Sequence, residues 1–234
     1  MKRLILAVIV CSLIVLLACA PTPAPPPPAP TPAPSEAPEI PRAVLYSDDF
    51  SDDTSGWETF DYEDGWCCYE EGWLHILNYT YAEYGSFSRL TGKDFSDFVL
   101  EIETKLIDGT MDNWHQIACR MSAAPKTQEW SYYDFGISAD GYYGISKAIG
   151  DEQIELVPAS RSIHIKKGRD VVNVMRVECI GNNLRLSVNG HFLVEAQDSD
   201  LDTGWLALGV TAWKEQDGKT FSQIAFDNIV VWAP

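Results

Sequence analysis

The feature that most constrains this chain is a two-residue alternation of apolar and polar side chains, in short runs separated by turn residues. Successive side chains of a strand point to opposite faces, so each such run builds a strand with one buried and one outer face. Val99–Leu106 places Leu100, Ile102 and Leu106 on one face and Glu101, Glu103 and Lys105 on the other. Ile117, Cys119 and Met121 alternate with Gln116, Ala118 and Arg120; Met175, Val177 and Cys179 alternate with Val174, Arg176 and Glu178. Residues 182–196 read as a hairpin, with Leu184, Leu186 and Val188 inward, a two-residue Asn189-Gly190 turn, then Phe192 and Val194 inward again. "IAFDNIVVW", residues 224–232, supplies a last strand. Helical periodicity is nearly absent. Without helices to cover a sheet, two sheets must bury their inner faces against each other, which predicts an all-β antiparallel two-sheet sandwich.

One hairpin fixes its own register. In "SYYDFGISADGYYGIS", residues 131–146, a two-residue turn at Asp140-Gly141 would mix apolar and polar side chains on each face. A three-residue loop with Gly141 in the left-handed conformation sets Ile137 opposite Tyr143 and Phe135 opposite Ile145. Phe135, Ile137, Tyr143 and Ile145 then form the core face. The other face carries Tyr132, Asp134, Gly136 and Ser138 beside Tyr142, Gly144 and Ser146. It is a floor of small residues flanked by tyrosines, with one carboxylate on it.

The N-terminus addresses the compartment. Lys2 and Arg3 precede an apolar run from Leu4 to Ala18, a charged n-region and an h-region too short for a comfortable membrane span. The run ends in Leu16-Leu17-Ala18-Cys19, which resembles a bacterial lipobox. The expected organisation is a lipoprotein signal peptide over 1–18, a lipidated Cys19 with a Pro-rich linker over 19–43, and one domain over 44–234. The competing reading is an ordinary signal peptide with an incidental cysteine. The linker should be an extended polyproline II spacer at about 3.1 Å per residue, and the domain should sit on the extracytoplasmic side of a bacterial membrane. The net charge of −17 opposes nucleic acid and anionic lipid, so the membrane is expected as a partner only through the lipid. Of the remaining cysteines, Cys119 and Cys179 both fall on the inward parity of their strands, which makes them the expected disulfide, whereas Cys67 and Cys68 point to opposite faces.

Several stretches together resemble the concanavalin A-like lectin/glucanase superfamily, especially its laminin-G-like and keto-disaccharide-hydrolase-related jelly-roll domains. They are "YSDDFSDDTSGW", "DFSDFVLEIETKL", "ACRMS", "ISADGYYGISK", "NVMRVECIGNNLRLSVNGHFLVEA" and "AFDNIVVW", in order across residues 46–232. The resemblance implies a jelly roll whose ligands, where there are any, sit on the concave face of one sheet. It also implies a calcium ion tying the first and last strands, with Asp49 and Asp227 as the matching residues. The competing reading has these two carboxylates bonded to turn amides.

Catalytic patterns are missing. The hydrolytic members of the superfamily carry E-x-D-x-x-E on one strand; here Glu101 and Glu103 are followed by Leu106 in the third position, which leaves two solvated outer residues. There is no G-x-S-x-G and no H-E-x-x-H. Sugars are held by aromatic rings and planar hydrogen-bonding groups. Trp114, Trp130 and Trp213 lie beside polar residues at strand ends, and with Gln116, Arg120, Tyr132, Asp134 and Tyr142 they are the expected ligand-binding set. Trp73, Trp205 and Trp232 sit in apolar runs and are expected in the core. The function expected is a non-catalytic, lectin-like module for a poly- or oligosaccharide. The alternatives are an adhesive protein-binding module and a glycoside hydrolase with an unrecognised site.

Overall fold

The computed structural model describes residues 42–79, 85–124, 129–213 and 220–234; the signal segment, Cys19 and the linker to residue 41 lie outside them. Among the described residues there is no helix. The strands are β1 (Val44–Asp48), β2 (Phe60–Tyr62), β3 (Gly65–Glu70), β4 (Trp73–Tyr79), β5 (Ser86–Arg89), β6 (Phe98–Gly109), β7 (Asn113–Ala123) and β8 (Trp130–Ile137). They continue as β9 (Tyr142–Ile149), β10 (Glu152–Arg161), β11 (Asn173–Ile180), β12 (Asn183–Val188), β13 (His191–Gln197), β14 (Trp205–Ala212) and β15 (Phe221–Trp232). A nine-stranded sheet runs β13-β12-β11-β6-β15-β4-β3-β2, with β1 paired to β15. A six-stranded sheet runs β10-β9-β8-β7-β14-β5. Together they form the antiparallel jelly-roll sandwich that the alternation implied.

The inner faces meet as expected. Leu100, Ile102, Leu106, Met175 and Val177 from the larger sheet pack with Ile117, Tyr133, Phe135, Ile137, Ile145, Leu208 and Val210 from the smaller, all buried. Full burial of one such side chain contributes about 1.5–3 kcal/mol, and this layer holds the sheets together. The β8–β9 hairpin has the three-residue-loop register: Phe135 faces Ile145, Gly136 faces Gly144, and Ile137 faces Tyr143. Gly141 sits at φ 97°, a conformation that only glycine adopts without strain. Asn189 and Gly190 both have positive φ, as a two-residue turn of this hand requires.

Strict alternation is broken by bulges in several strand pairs, and two of them change the reading of the sequence. In β7 the register shifts between Cys119 and Ser122, and Arg120 takes φ 51°. This bulge turns Arg120 away from the outer face and moves Met121 onto it, against a small apolar cluster with Ala118 and Ala207. Arg120 is therefore not a surface ligand-binding residue. It is almost fully buried and donates to the carbonyls of Ser96, Gly181 and Leu201 at 2.8–3.0 Å, and to Asp97 at 3.1 Å. Those loop carbonyls need donors at the end of the sandwich, and the guanidinium supplies them at once. In β13 a register shift after Leu186 leaves Phe192 outside, 52 % exposed, with the Arg185 guanidinium 5.0 Å from its ring.

Candidate functional site

The two outer faces differ in chemistry. On the nine-stranded sheet Glu101 pairs with Arg176 at 2.8 Å, Arg176 with Glu178 at 3.1 Å, and Arg185 bridges Glu178 and Glu195. Glu101 thus belongs to a charge ladder on the side of the sandwich away from the aromatic sheet face, and Glu103 lies on the same side, opposite Val174 and Asp227.

The outer face of the six-stranded sheet brings together Trp114, Gln116, Tyr132, Asp134 and Tyr142 from β7, β8 and β9. Their floor is Gly136 and Gly144, directly opposite each other. The indole of Trp114 lies on that floor: a Cβ on Gly136 would overlap the indole ring, and one on Gly144 would touch it at 3.4 Å. The glycines are thus the recess that lets a large ring lie along the sheet. Trp213, 44 % exposed, meets Trp114 edge-on at 6.0 Å. Tyr142 stacks under the Arg161 guanidinium at 4.6 Å.

At the centre is Asp134, only 5 % exposed, flanked by Ala118 on β7 and Ser146 on β9. Thr211 Oγ1 donates to Gln116 Oε1 at 2.8 Å, which orients the amide so that Gln116 Nε2 donates to Asp134 Oδ2 at 2.9 Å. Asp134 Oδ1 makes no hydrogen bond. Burial raises the Asp134 carboxyl to about 7, although the Gln116 amide and the nearby Trp114 indole favour ionisation. A carboxyl that is nine-tenths buried with one bare oxygen is short of a partner, because buried polar atoms are normally paired.

Toward the other end of this face the surface is aromatic. Tyr132 packs on Phe87 at 5.6 Å, and burial pushes its phenol up to about 12. Trp130 packs on Trp205 at 6.0 Å, and the Arg89 guanidinium lies 4.8 Å from one ring and 5.1 Å from the other. Glu58 holds Arg89 with two hydrogen bonds of 2.7 and 2.5 Å. Sequence reasoning missed Phe87, Arg89 and Trp205. β5 is only four residues long, too short to show a period, and Trp205 in "WLALGV" reads as core although it lies outside. Trp205 is corrected accordingly.

Asp49 and Asp227, the residues matched to a calcium site, each hydrogen-bond locally. Asp49 Oδ1 accepts from the Ser51 amide and hydroxyl, and Asp227 accepts from the backbone and side chain of Asn228. Burial, then the charges of Glu103 and Asp49, raise the Asp227 carboxyl. Among the described residues no group of three metal-ligating side chains forms. His115 lies in the core, bonded to Thr104 at 2.8 Å, and burial lowers it to about 3, so it stays neutral. A cleft of about 850 Å³ beside β2 and β3, lined by Phe60, Trp66, Cys68, Tyr69 and three carboxylates, contains none of the expected ligand-binding residues.

The model of the 3-keto-alpha-glucoside-1,2-lyase-like domain matches residues 48–231. The chain belongs to this family. Solved structures share the fold at low identity. A carbohydrate-binding module, CBM66, from Bacillus subtilis matches at 14 % identity and a TM-score of 0.58, over 76 % of this chain and 96 % of that one. The catalytic domain of an endo-1,3-beta-glucanase (laminarinase) from Thermotoga petrophila matches at 15 % and 0.56, over 82 % and 97 %. A galectin-like protein of unknown function from Bacillus subtilis matches at 11 % and 0.60, over 81 % and 96 %. No curated protein sequence matches the chain. As a member of the family the chain keeps the concanavalin A-like sandwich expected of it, while its own outer-face residues carry the functional argument.

Proposed function

We propose that the outer face of the six-stranded sheet binds carbohydrate, on an exported protein anchored through a lipid at Cys19 and held off the membrane by the Pro-rich linker. One observation carries the reading: Asp134 Oδ1 is buried without a partner beside an oriented Gln116 amide, on a face where glycines seat the Trp114 ring. An aromatic ring next to a fixed acceptor and a fixed amide suits a sugar, which presents C–H faces and hydroxyls together. Family membership and the carbohydrate-binding neighbours support the same class of ligand. Asp134 forms no ion pair with a lysine or arginine among the described residues, which disfavours an anionic saccharide.

The test is binding to a polysaccharide panel that includes a β-1,3-glucan, a mixed-linkage β-1,3-1,4-glucan and mucin O-glycans, measured by pull-down and calorimetry. Trp114→Ala and Asp134→Asn should each weaken binding several-fold or more while the protein stays folded. If no saccharide binds the wild-type chain, the reading fails and an adhesive, protein-binding role takes its place.

A second reading has its own observation. Retaining glycoside hydrolysis needs two carboxyls about 5–5.5 Å apart, and the strands beside β8 place Ala118 and Ser146 next to Asp134. The next carboxylate in that row is Glu155, opposite Ser146 on β10 and two strand spacings or about 10 Å from Asp134. A lone carboxyl raised to about 7 suits a single proton transfer, of the kind an elimination next to a carbonyl uses. Chromatography of a 3-keto-glucoside incubated with wild type and with Asp134→Asn decides it: this reading requires turnover by the first and none by the second.

A further inference from the structure

We propose that Cys119 and Cys179 are joined by a disulfide that crosses the core and ties the two sheets together, and that it forms only while the chain is folding. The two Sγ atoms lie 3.0 Å apart, and both residues are fully buried. Cys119 sits on β7 of the six-stranded sheet, next to Tyr133 of β8; Cys179 sits on β11 of the nine-stranded sheet, between Phe98 of β6 and Leu184 of β12. The strands bring the thiols together without help from either side chain, because adjacent contacts already fix the approach. Arg120, the next residue after Cys119, donates to the carbonyl of Gly181 at 3.0 Å, and the Gly181 amide donates to Asp97 at 2.9 Å. One end of the sandwich is thus pinned by polar bonds at the point where the sulfurs meet.

The chemistry is thiol–disulfide exchange with a small or protein disulfide as the oxidant. One cysteine thiolate attacks the oxidant's disulfide and releases one thiol. The second cysteine then attacks the mixed disulfide and releases the other, so two S–H bonds are lost in the chain and two are gained by the oxidant. Both steps need a thiolate and access. The folded chain denies both, because no solvent reaches either sulfur and burial raises the Cys119 thiol well above its ordinary value. Exchange therefore has to precede closure of the sheets, and afterwards the redox state is locked. Cys67 and Cys68 are adjacent on β3 and point to opposite faces, and their cross-strand neighbours are Phe60, Ile76 and His75, with no cysteine among them, so these two stay as thiols.

Peptide mapping of the wild-type chain, isolated from an exporting host and alkylated under denaturing conditions without reduction, tests the bond. A linked pair of peptides carrying Cys119 and Cys179, with Cys67 and Cys68 alkylated, is expected. Alkylation of all four, or a link through Cys67 or Cys68, overturns the bond. The timing is tested on reduced chain with oxidised glutathione: the link should form fully when the oxidant is present during refolding, and no faster than global unfolding when it is added afterwards. Equal rates overturn the folding-time claim. Reduction of the unfolded chain followed by refolding should lower Tm by on the order of 10 °C, since the bridge closes a span of 60 residues. The same treatment should leave Cys119→Ala/Cys179→Ala unchanged, and an unchanged wild-type Tm would also overturn the bond. If the double variant does not fold, the mapping on wild type still decides.

Discussion

The two outer faces of the sandwich are built by the same alternation and end in opposite chemistry. On the nine-stranded sheet the outward positions of β6, β11, β12 and β13 are filled by Glu101, Arg176, Glu178, Arg185 and Glu195, a ladder of partly exposed ion pairs. Each such pair contributes about 0–1 kcal/mol and is screened by salt. On the six-stranded sheet the outward positions are glycine, alanine, tryptophan and tyrosine around a buried carboxyl with one bare oxygen. The first face joins its charges in a continuous ladder of ion pairs at partly exposed positions, although Arg185 Nε makes no hydrogen bond of its own. The second removes polar groups from water without pairing them fully, which destabilises the free protein unless a ligand completes them. That asymmetry, more than any single residue, separates the working face from the structural one.

The sharpest test of this contrast removes anchors that belong to neither face. Phe135→Ala should lower unfolding free energy by about 3–5 kcal/mol in urea titration, because the ring is fully buried between the sheets. Arg120→Ala should cost a similar ~3–5 kcal/mol, because it leaves three loop carbonyls and Asp97 without their donor. If Arg120→Ala instead leaves stability intact and abolishes saccharide binding, Arg120 belongs to the site and the bulge has been misread.

A smaller effect, and one specific to the working face, is expected from pH. The Asp134 carboxyl is raised to about 7 in the folded chain, against an ordinary value of 3.8. Below about 4 both folded and unfolded chains carry the proton. Between about 4 and 7 the folded chain holds a proton that the unfolded chain has lost, so this group's contribution to stability falls as pH rises and is gone above the folded value. The total is on the order of a few kcal/mol, read from chemical denaturation at pH 5 and pH 8. Asp134→Asn should flatten that slope, and an unchanged slope would mean Asp134 is ionised and solvated in the folded protein.

Gly136→Ala should move the Trp114 ring off its floor and destabilise by about 1–3 kcal/mol. Its tryptophan fluorescence should shift, with weaker saccharide binding. Tyr142→Ala should reduce binding by about 1 kcal/mol with little loss of stability, because the ring is only half-buried on the outer face, under the Arg161 guanidinium. The smallest effect belongs to the charged face: Arg176→Ala should cost no more than about 1 kcal/mol and leave binding unchanged. A binding defect there would erase the distinction between the faces.

The sandwich and the β8–β9 register were legible in the sequence because a period of two, with one face apolar, admits a single consistent pairing. Phe135 opposite Ile145 follows from hydrophobic pattern and Gly141 alone. Tyr132, Asp134 and Tyr142 likewise fall on one face by parity, and Gln116 on the polar side of its own strand, whereas Trp114 stands out only as an aromatic beside polar residues. Parity fails where a bulge inserts a residue, as at Arg120 and after Leu186, and no local signal marks either place; the first answers the hydrogen-bond needs of distant loops. Arg89 and Trp205 escaped notice for a related reason: their partnership with Trp130 and Glu58 joins segments far apart in the chain.

By itself the sequence determined the architecture, the β8–β9 register and which strands offer polar outer faces, since these depend on the chemistry of residues one, two or four positions apart. Only the tertiary structure decided which polar groups lose their water. Asp134 is an ordinary aspartate in the sequence; burial beside Gln116, with Trp114 laid over Gly136, raises its carboxyl and leaves an oxygen bare. Desolvation is a property of the packed neighbourhood, summed over strands that meet only when the sheets close.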